Sequence, residues 1–175
     1  TGLTAVGATG TASAIAGIPF YRGDGDNTSI YTHDVSGTDS TAQGNTAYGI
    51  QAMDAITTGD NNTAIGEQSL TSVTTGSANT AVGRLSLKTV STGVNNIAVG
   101  YEALKTNNGD ANVAIGYQAL LANTTGASNI AIGSTALGAT TTGVRNIAIG
   151  SNALDLQDTE NDNIAIGYNA ITTDN

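Results

Sequence analysis

The stretch Asn129-Ile-Ala-Ile-Gly-Ser-Thr-Ala-Leu137 contains a phrase that recurs along most of the chain. The phrase reads Asn-x-Ala-(Ile/Val)-Gly, and its first copy has Tyr48 in place of the Ile or Val. Successive copies begin at a constant interval, which is the distance from Asn45 to Asn62. The one exception is the interval from Asn96 to Asn112, which is one residue shorter. The opening residues are Asn45, Asn62, Asn79, Asn96, Asn112, Asn129, Asn146 and Asn163, and the closing residues are Gly49, Gly66, Gly83, Gly100, Gly116, Gly133, Gly150 and Gly167. A phrase repeated at a fixed interval indicates one structural unit stacked on itself.

Each repeat continues with a second apolar phrase such as Ala136-Leu137 and then a polar segment that ends in glycine, such as Thr141-Thr142-Gly143. The apolar phrases are too short for helices, and the alternation of β-branched and small residues in Ile130-Ala131-Ile132 is typical of strands. The closing glycine permits a sharp turn because it has no Cβ. The sequence therefore predicts an all-β fold, a parallel β-solenoid of about eight 17-residue coils with two short strands and two turns each.

The shorter repeat supports this division into strands and loops. Its missing residue falls between Gly100 and Gly109, in the predicted loop. Loops tolerate deletions that stacked strands do not.

Alanine occupies the middle of every phrase, as at Ala131, and larger apolar residues flank it in most copies. A strand with one solvated face would carry polar residues on that face, so we expect both faces to be covered. The face that carries the alanines should be packed so closely that no side chain larger than a methyl group fits. One chain can cover only one of the two faces, which predicts association with further chains. The opening asparagine should bond its amide to the neighbouring coils or to backbone at the turn, a structural role.

The first 44 residues follow the repeat poorly, so we divide the chain into an irregular cap or tip, residues 1–44, and a repeat domain, residues 45–175. The segment Asp26-Asn27-Thr28-Ser29-Ile30-Tyr31 resembles a degenerate phrase, with Asn27 one position farther from Asn45 than the regular interval requires. Terminal repeats are often atypical because they cap the stack. Because the chain starts at Thr1, we expect it to be a piece of a longer protein.

The composition argues against several functions. The chain has five basic and 14 acidic residues, which gives a net charge of −9. We therefore expect neither a nucleic-acid partner nor binding to an anionic membrane. No apolar run approaches the length of a membrane span, and we expect no membrane insertion. With one histidine, no cysteine and no nucleophile-elbow or phosphate-loop motif, we expect no enzymatic activity and no cofactor.

Phrases such as Asn112-Val-Ala-Ile-Gly-Tyr-Gln-Ala-Leu120 resemble the head repeats of trimeric autotransporter adhesins and the repeats of bacteriophage tail fibres and related bacterial fibre proteins. The resemblance covers residues 45–175. It implies a left-handed parallel β-roll, three identical chains around one axis, and a location on a bacterial surface or a virion fibre. Typical adhesin heads have shorter coils, and the additional residues here enlarge the Thr-Thr-Gly loop, which favours the fibre branch of the resemblance.

The expected function is therefore the head or shaft of a homotrimeric surface fibre that recognises a cell-surface ligand, for which a carbohydrate is the natural candidate. A mechanical spacer, with its binding tip elsewhere, is the alternative. Candidate ligand-binding residues combine aromatic, charged and imidazole groups near the amino terminus with tyrosines that should stack in consecutive coils: Phe20, Tyr21, Arg22, Tyr31, His33, Tyr101 and Tyr117. Tyrosine rows can bind sugars or fill a seam between chains, and the sequence does not separate these roles.

Two further sites are weaker candidates. Acidic side chains at Asp24, Asp26, Asp158 and Glu160 have the oxygen density of a cation site, although solvated turns explain them as well. Threonine pairs such as Thr124-Thr125 form a rank along the solenoid, as in ice-binding solenoids. Adjacent strand residues face opposite ways, so ice binding is the least favoured alternative.

Overall fold

The computed structural model describes residues 13–15, 18–20, 30–31, 41–155 and 159–172. Within these ranges the chain is all-β, with no helix. Five of the predicted site residues, Tyr21, Arg22, Asp24, Asp26 and His33, lie outside the described residues, and so does Asp158.

The described strands form two sheets. Strands β1 and β2 pair antiparallel as a small separate sheet, with Ala14 opposite Pro19. The other nine strands form one parallel sheet in chain order, which confirms the predicted parallel β-solenoid. The solenoid has about seven turns. The strands are β1 Ser13–Ile15, β2 Ile18–Phe20, β3 Ile30–Tyr31, β4 Thr46–Tyr48, β5 Thr63–Ile65, β6 Thr80–Val82, β7 Ile97–Val99, β8 Val113–Ile115, β9 Ile130–Ile132, β10 Ile147–Ile149 and β11 Ile164–Ile166.

The register places each phrase on the same phrase of the next coil. Ala131 pairs with Ala114 on one side and with Ala148 on the other. The short repeat keeps this register, because Ala98 still pairs with Ala114. These two alanines are one residue closer in sequence than the other paired strand alanines are. The deletion lies in the loop, as predicted, where the side chain of Asn107 accepts from the Gly109 N–H at 3.0 Å and donates to the Gly109 carbonyl at 2.8 Å.

The second apolar phrase does not form the second strand that the sequence predicts. Its residues alternate between ordinary and left-handed backbone, with φ of 56° at Gln68 and 50° at Leu70. Their N–H groups bond to opposite coils, Gln68 to the Ile50 carbonyl at 2.8 Å and Leu70 to the Ser86 carbonyl at 3.1 Å. The coils therefore remain hydrogen-bonded here, but through a turn-rich backbone whose left-handed residues cost energy that these bonds offset.

Strand β3 corresponds to the predicted degenerate repeat, but in a different register. Ile30 pairs with Thr46 and Tyr31 with Ala47, whereas alignment on Asn27 would have placed Thr28 opposite Thr46. Ser29, not Asn27, therefore precedes the strand as Asn45 precedes β4. Core alignment, with Tyr31 buried beside Ala47, sets the register here.

The core lies between the strand alanines and the second apolar phrase. Ala131 and its counterparts in the other coils are buried, and so are Leu137 and its counterparts except Ile171 of the last coil, which is 46% exposed. The chain thus covers the alanine face of the sheet with its own backbone and side chains. The opposite face, made by the first and third residues of β4–β11 and called here the outer sheet face, is not buried at any position.

The opening asparagines form a buried ladder, which confirms their predicted structural role. The Asn129 side chain donates to the Asn112 Oδ1 at 3.2 Å and to the Gly143 carbonyl at 2.8 Å. Its own Oδ1 accepts from the Asn146 backbone N–H at 2.9 Å. Each asparagine from Asn62 to Asn146 therefore links three successive coils and also fixes the loop that precedes the next phrase.

Candidate functional site

The residues that directly follow the closing glycines form a surface row, called here the first flank row. It contains both tyrosines that the sequence predicted to stack, and their ring centroids lie 5.6 Å apart with planes 13° from parallel. The predicted stacking is confirmed, and a ligand-binding role for these rings stays a prediction. From the amino-terminal end the row reads Ile50, Glu67, Arg84, Tyr101, Tyr117, Ser134, Ser151 and Tyr168.

Arg84 and Glu67 extend the stack toward the amino terminus, and neither was predicted as part of the site. The Arg84 guanidinium lies 5.7 Å from the Tyr101 ring centroid. Its Nε donates to the Glu67 carboxylate at 3.1 Å, and this hydrogen bond raises the pKa of Arg84. Aligning the repeats by their closing glycines would have revealed this column, since acidic, basic and aromatic residues follow one another in it.

The next residue of each coil forms a second flank row. The row reads Gln51, Gln68, Leu85, Glu102, Gln118, Thr135, Asn152 and Asn169. Its side chains bond from coil to coil, Gln68 Nε2 to Gln51 Oε1 at 2.6 Å and Asn152 Nδ2 to Asn169 Oδ1 at 2.9 Å. Amides and hydroxyls held by one another form an ordered polar surface beside the tyrosines.

Glu102 is the one carboxylate of the second flank row. It accepts from Lys105 Nζ at 2.6 Å and from Gln118 Nε2 at 2.7 Å. The hydrogen bond from Lys105, with that from Gln118, lowers the pKa of Glu102.

We expect Glu102→Gln to reduce stability at neutral pH, by about 1 kcal/mol or less for an ion pair whose lysine is partly exposed. Because the pKa is lowered in the folded chain, the stabilisation is complete above the ordinary glutamate pKa and disappears as the pH falls through the folded value. Urea denaturation should show a larger difference between the two proteins at pH 7 than at pH 3. Glu67→Gln, at a half-exposed carboxylate, is the control and should shift the midpoint less. An equal difference at both pH values would contradict the assignment.

No protein-family model matches this chain, and comparison with curated proteins and with solved structures gives no match. Among the described residues there is no helix of the length and apolarity needed to cross a membrane.

The amino-terminal candidate site changes in one respect. Tyr31 is fully buried in the core, so its ring is not available to a ligand, contrary to the prediction. The reason is register, since Tyr31 lies beside Ala47 on the inner face of the sheet. Phe20 ends strand β2, and the remaining candidates near it lie outside the described residues.

The predicted cation sites gain no support from the described part of the chain. No three potential ligands of the types His, Cys, Asp and Glu cluster there. The Glu160 Oε2 accepts from the Thr159 N–H at 3.1 Å. Asp162 forms a two-point ion pair with Arg145 at 2.6 and 2.7 Å, and the hydrogen bond from Arg145 lowers the pKa of Asp162. Burial raises the pKa of Asp155, which lies apart from these groups in the same coil.

In the threonine pairs, the first hydroxyl bonds to a carbonyl of the next coil and the second threonine is exposed. Thr124 Oγ1 donates to the Thr141 carbonyl of the next coil at 3.1 Å, and Thr74 Oγ1 likewise approaches the Ser91 carbonyl at 3.2 Å. The second threonine of each pair, as at Thr75 and Thr125, is exposed. A single free rank lacks the paired hydroxyls that the ice-binding alternative requires.

Proposed function

We propose that this chain is the head or shaft segment of an extracellular fibre, a left-handed β-roll that associates as a homotrimer through its outer sheet face and presents an adhesive flank to a carbohydrate on a cell surface. The number three, the handedness and the extracellular location rest on the resemblance of the repeats. The single observation that carries the proposal is the apolar outer sheet face.

The outer sheet face has the composition of an interface. None of its positions in β4–β11 is charged, and all are aliphatic, tyrosine or threonine. Ile132 and Ile149 are 36% and 37% exposed although coils on both sides already cover part of them. With a coil spacing of about 4.8 Å, this apolar strip runs for roughly 34 Å. Single soluble chains rarely expose so long a continuous apolar surface, and identical chains can cover it by symmetry.

The adhesive part of the proposal rests on the flank rather than on a pocket. The two flank rows combine stacked tyrosines with ordered amides and hydroxyls, which suits ligands that have both C–H faces and hydroxyl groups. The spacer alternative predicts that these rows bind nothing and only stabilise the stack. Binding of the purified chain to a carbohydrate array separates the two functions.

Ile132→Glu tests the interface. The side chain is half exposed in the single chain, so the variant should keep its β-rich circular dichroism spectrum. In the assembly the carboxylate would be buried without a partner, which costs several kcal/mol. By light scattering the wild type should have about three times the 17.3 kDa mass of one chain, and the variant the mass of one chain.

Two controls define the outcome. Thr125→Glu places the same charge on an exposed loop and should leave the assembly mass unchanged. Ala131→Glu places the charge in the core of the chain instead and should unfold the coil itself. A wild type with the mass of a single chain would contradict the proposed assembly.

A further inference from the structure

The first flank row changes abruptly after Tyr117. The side chains from Glu67 to Tyr117 are long and in contact, whereas the next two coils carry Ser134 and Ser151. Tyr168 then resumes the row. Two small residues therefore separate two tyrosines along one line of the surface.

This change leaves one face of Tyr117 uncovered. Tyr101 has Arg84 against one side of its ring and Tyr117 against the other. Tyr117 has Tyr101 on one side only, and the coil on its other side offers the short side chain of Ser134. The exposures agree, since Tyr101 is 37% exposed and Tyr117 is 52% exposed.

The space beyond Tyr117 has the dimensions of a small-molecule subsite. Tyr117 and Tyr168 are three coils apart, which corresponds to about 14 Å at the spacing of parallel strands. Ser134 and Ser151 form the floor between the two tyrosines. We call this space the serine notch.

One side of the serine notch is polar and ordered. It is formed by Thr135, Asn152 and Asn169 of the second flank row, in which Thr135 Oγ1 donates to Asn152 Oδ1 and Asn152 Nδ2 donates to Asn169 Oδ1 at 2.9 Å. These bonds fix the amides before any ligand arrives, which reduces the entropy lost on binding. Amides and hydroxyls both donate and accept, as sugar hydroxyl groups require.

The residues that define the notch also indicate the charge of its ligand. The floor, the two tyrosines and the polar side include no ionisable acid or base other than the tyrosine hydroxyls. Lysine and arginine are the groups that would attract an anionic sugar, and the chain as a whole carries a net charge of −9. The chemistry thus favours an uncharged ligand.

We propose that the serine notch binds a neutral pyranose unit of an oligosaccharide, stacked on the free face of Tyr117 with its hydroxyl groups bonded to Ser134, Ser151 and Asn152. The inference deepens the adhesive part of the proposed function and rests on it. The first flank row continues from the notch to Tyr168, so a second sugar unit of the oligosaccharide can follow the first along the row.

Ser134→Tyr is the sharpest test, because this variant fills the notch without altering the fold. Tyrosine already occupies the same position of the coil at Tyr101 and Tyr117, so the new ring should extend the stack by one step. The probe is an array of immobilised neutral hexose and N-acetylhexosamine oligosaccharides, with sialylated ones for comparison. The wild type should bind neutral members, and Ser134→Tyr should lose binding at least tenfold while keeping its melting temperature and its assembly mass.

Tyr117→Ala removes the stacking face and should weaken binding by about tenfold at most, as expected for the loss of one aromatic contact. Thr125→Tyr, which adds the same ring on the exposed loop, should bind as the wild type does. Undiminished binding by Ser134→Tyr would overturn the notch, and so would a change in its assembly mass, because the row would then lie in a seam between chains.

The notch and the fibre can fail separately. A wild type that assembles as a trimer and binds no neutral oligosaccharide overturns the notch and leaves the fibre proposal standing. A single-chain wild type whose binding is abolished by Ser134→Tyr supports the notch and overturns the trimer.

Discussion

Gly133→Val should strongly destabilise the regular coils, lowering the free energy of unfolding by about 4 kcal/mol from two separate costs. Gly133 has a φ of 135°, where a β-branched residue is strained by about 1–3 kcal/mol. A Cβ there would also lie 2.5 Å from the Gly150 carbonyl carbon and oxygen, and such overpacking costs about 1–3 kcal/mol more. Thermal and urea denaturation followed by circular dichroism would measure the loss.

Gly167→Val is the matched control, since it separates strain from contact. Gly167 has nearly the same φ, 134°, but among the described residues a Cβ there would meet only the Ala170 Cβ, at 3.9 Å. This variant should lose the strain component alone and be roughly half as destabilised. If the two variants melted together, the close stacking of the closing glycines would be wrong. If both melted like the wild type, the turn geometry would be wrong as well.

Asn129→Leu should also be strongly destabilising, with a loss of about 3 kcal/mol or more. Leucine matches the volume but provides no hydrogen bonds. The substitution leaves the buried Asn146 N–H and the Gly143 carbonyl without their partner, and each unsatisfied buried group costs about 1–3 kcal/mol. The loop that carries Gly143 should loosen first, so native-state hydrogen exchange should accelerate there.

Asn163→Leu provides the comparison for the asparagine ladder. Asn163 is only half buried, and its side chain donates to the Asn146 Oδ1 at 3.1 Å, which keeps a second bond from the Asn163 backbone N–H at 3.0 Å. Its replacement should cost clearly less than that of Asn129. Equal losses would indicate that the ladder stabilises the stack through packing rather than through buried hydrogen bonds.

These two positions show why the repeat tolerates little variation inside the coil and much on the flank. Gly133 and Asn129 contact identical residues in the neighbouring coils, so a change at one site conflicts with its counterpart above or below. Flank side chains such as Tyr101 and Ser134 lie on the surface, where they need not match their counterparts, and they can differ from coil to coil. In our proposal, recognition is therefore confined to the flank rows, and the coils supply a rigid support.

Much of this architecture could be predicted from the sequence because a strict period determines which residues meet. The repeat predicts that Ala131 lies beside Ala148 and that Tyr101 lies beside Tyr117, and both hold. The position of the deletion predicts the loop, and Asn107 closes the shortened loop in the structure. Each of these results needs only the repeat and the requirement that equivalent residues stack.

What the sequence could not decide was how the chain turns between the strands and which face it turns toward. The alternation in Ile130-Ala131-Ile132 is the same whichever face is inside. The structure shows that the second apolar phrase folds back over the alanine face with left-handed residues such as Leu137, at a φ of 51°, so Ala131 is buried and Ile132 is left half exposed. The same ambiguity made Tyr31 a surface candidate, although inter-coil pairing places it in the core. Periodicity specifies which residues are neighbours along the stack. The cross-section of a coil depends instead on backbone angles and on how side chains pack inside the coil, and neither can be read from the repeating pattern.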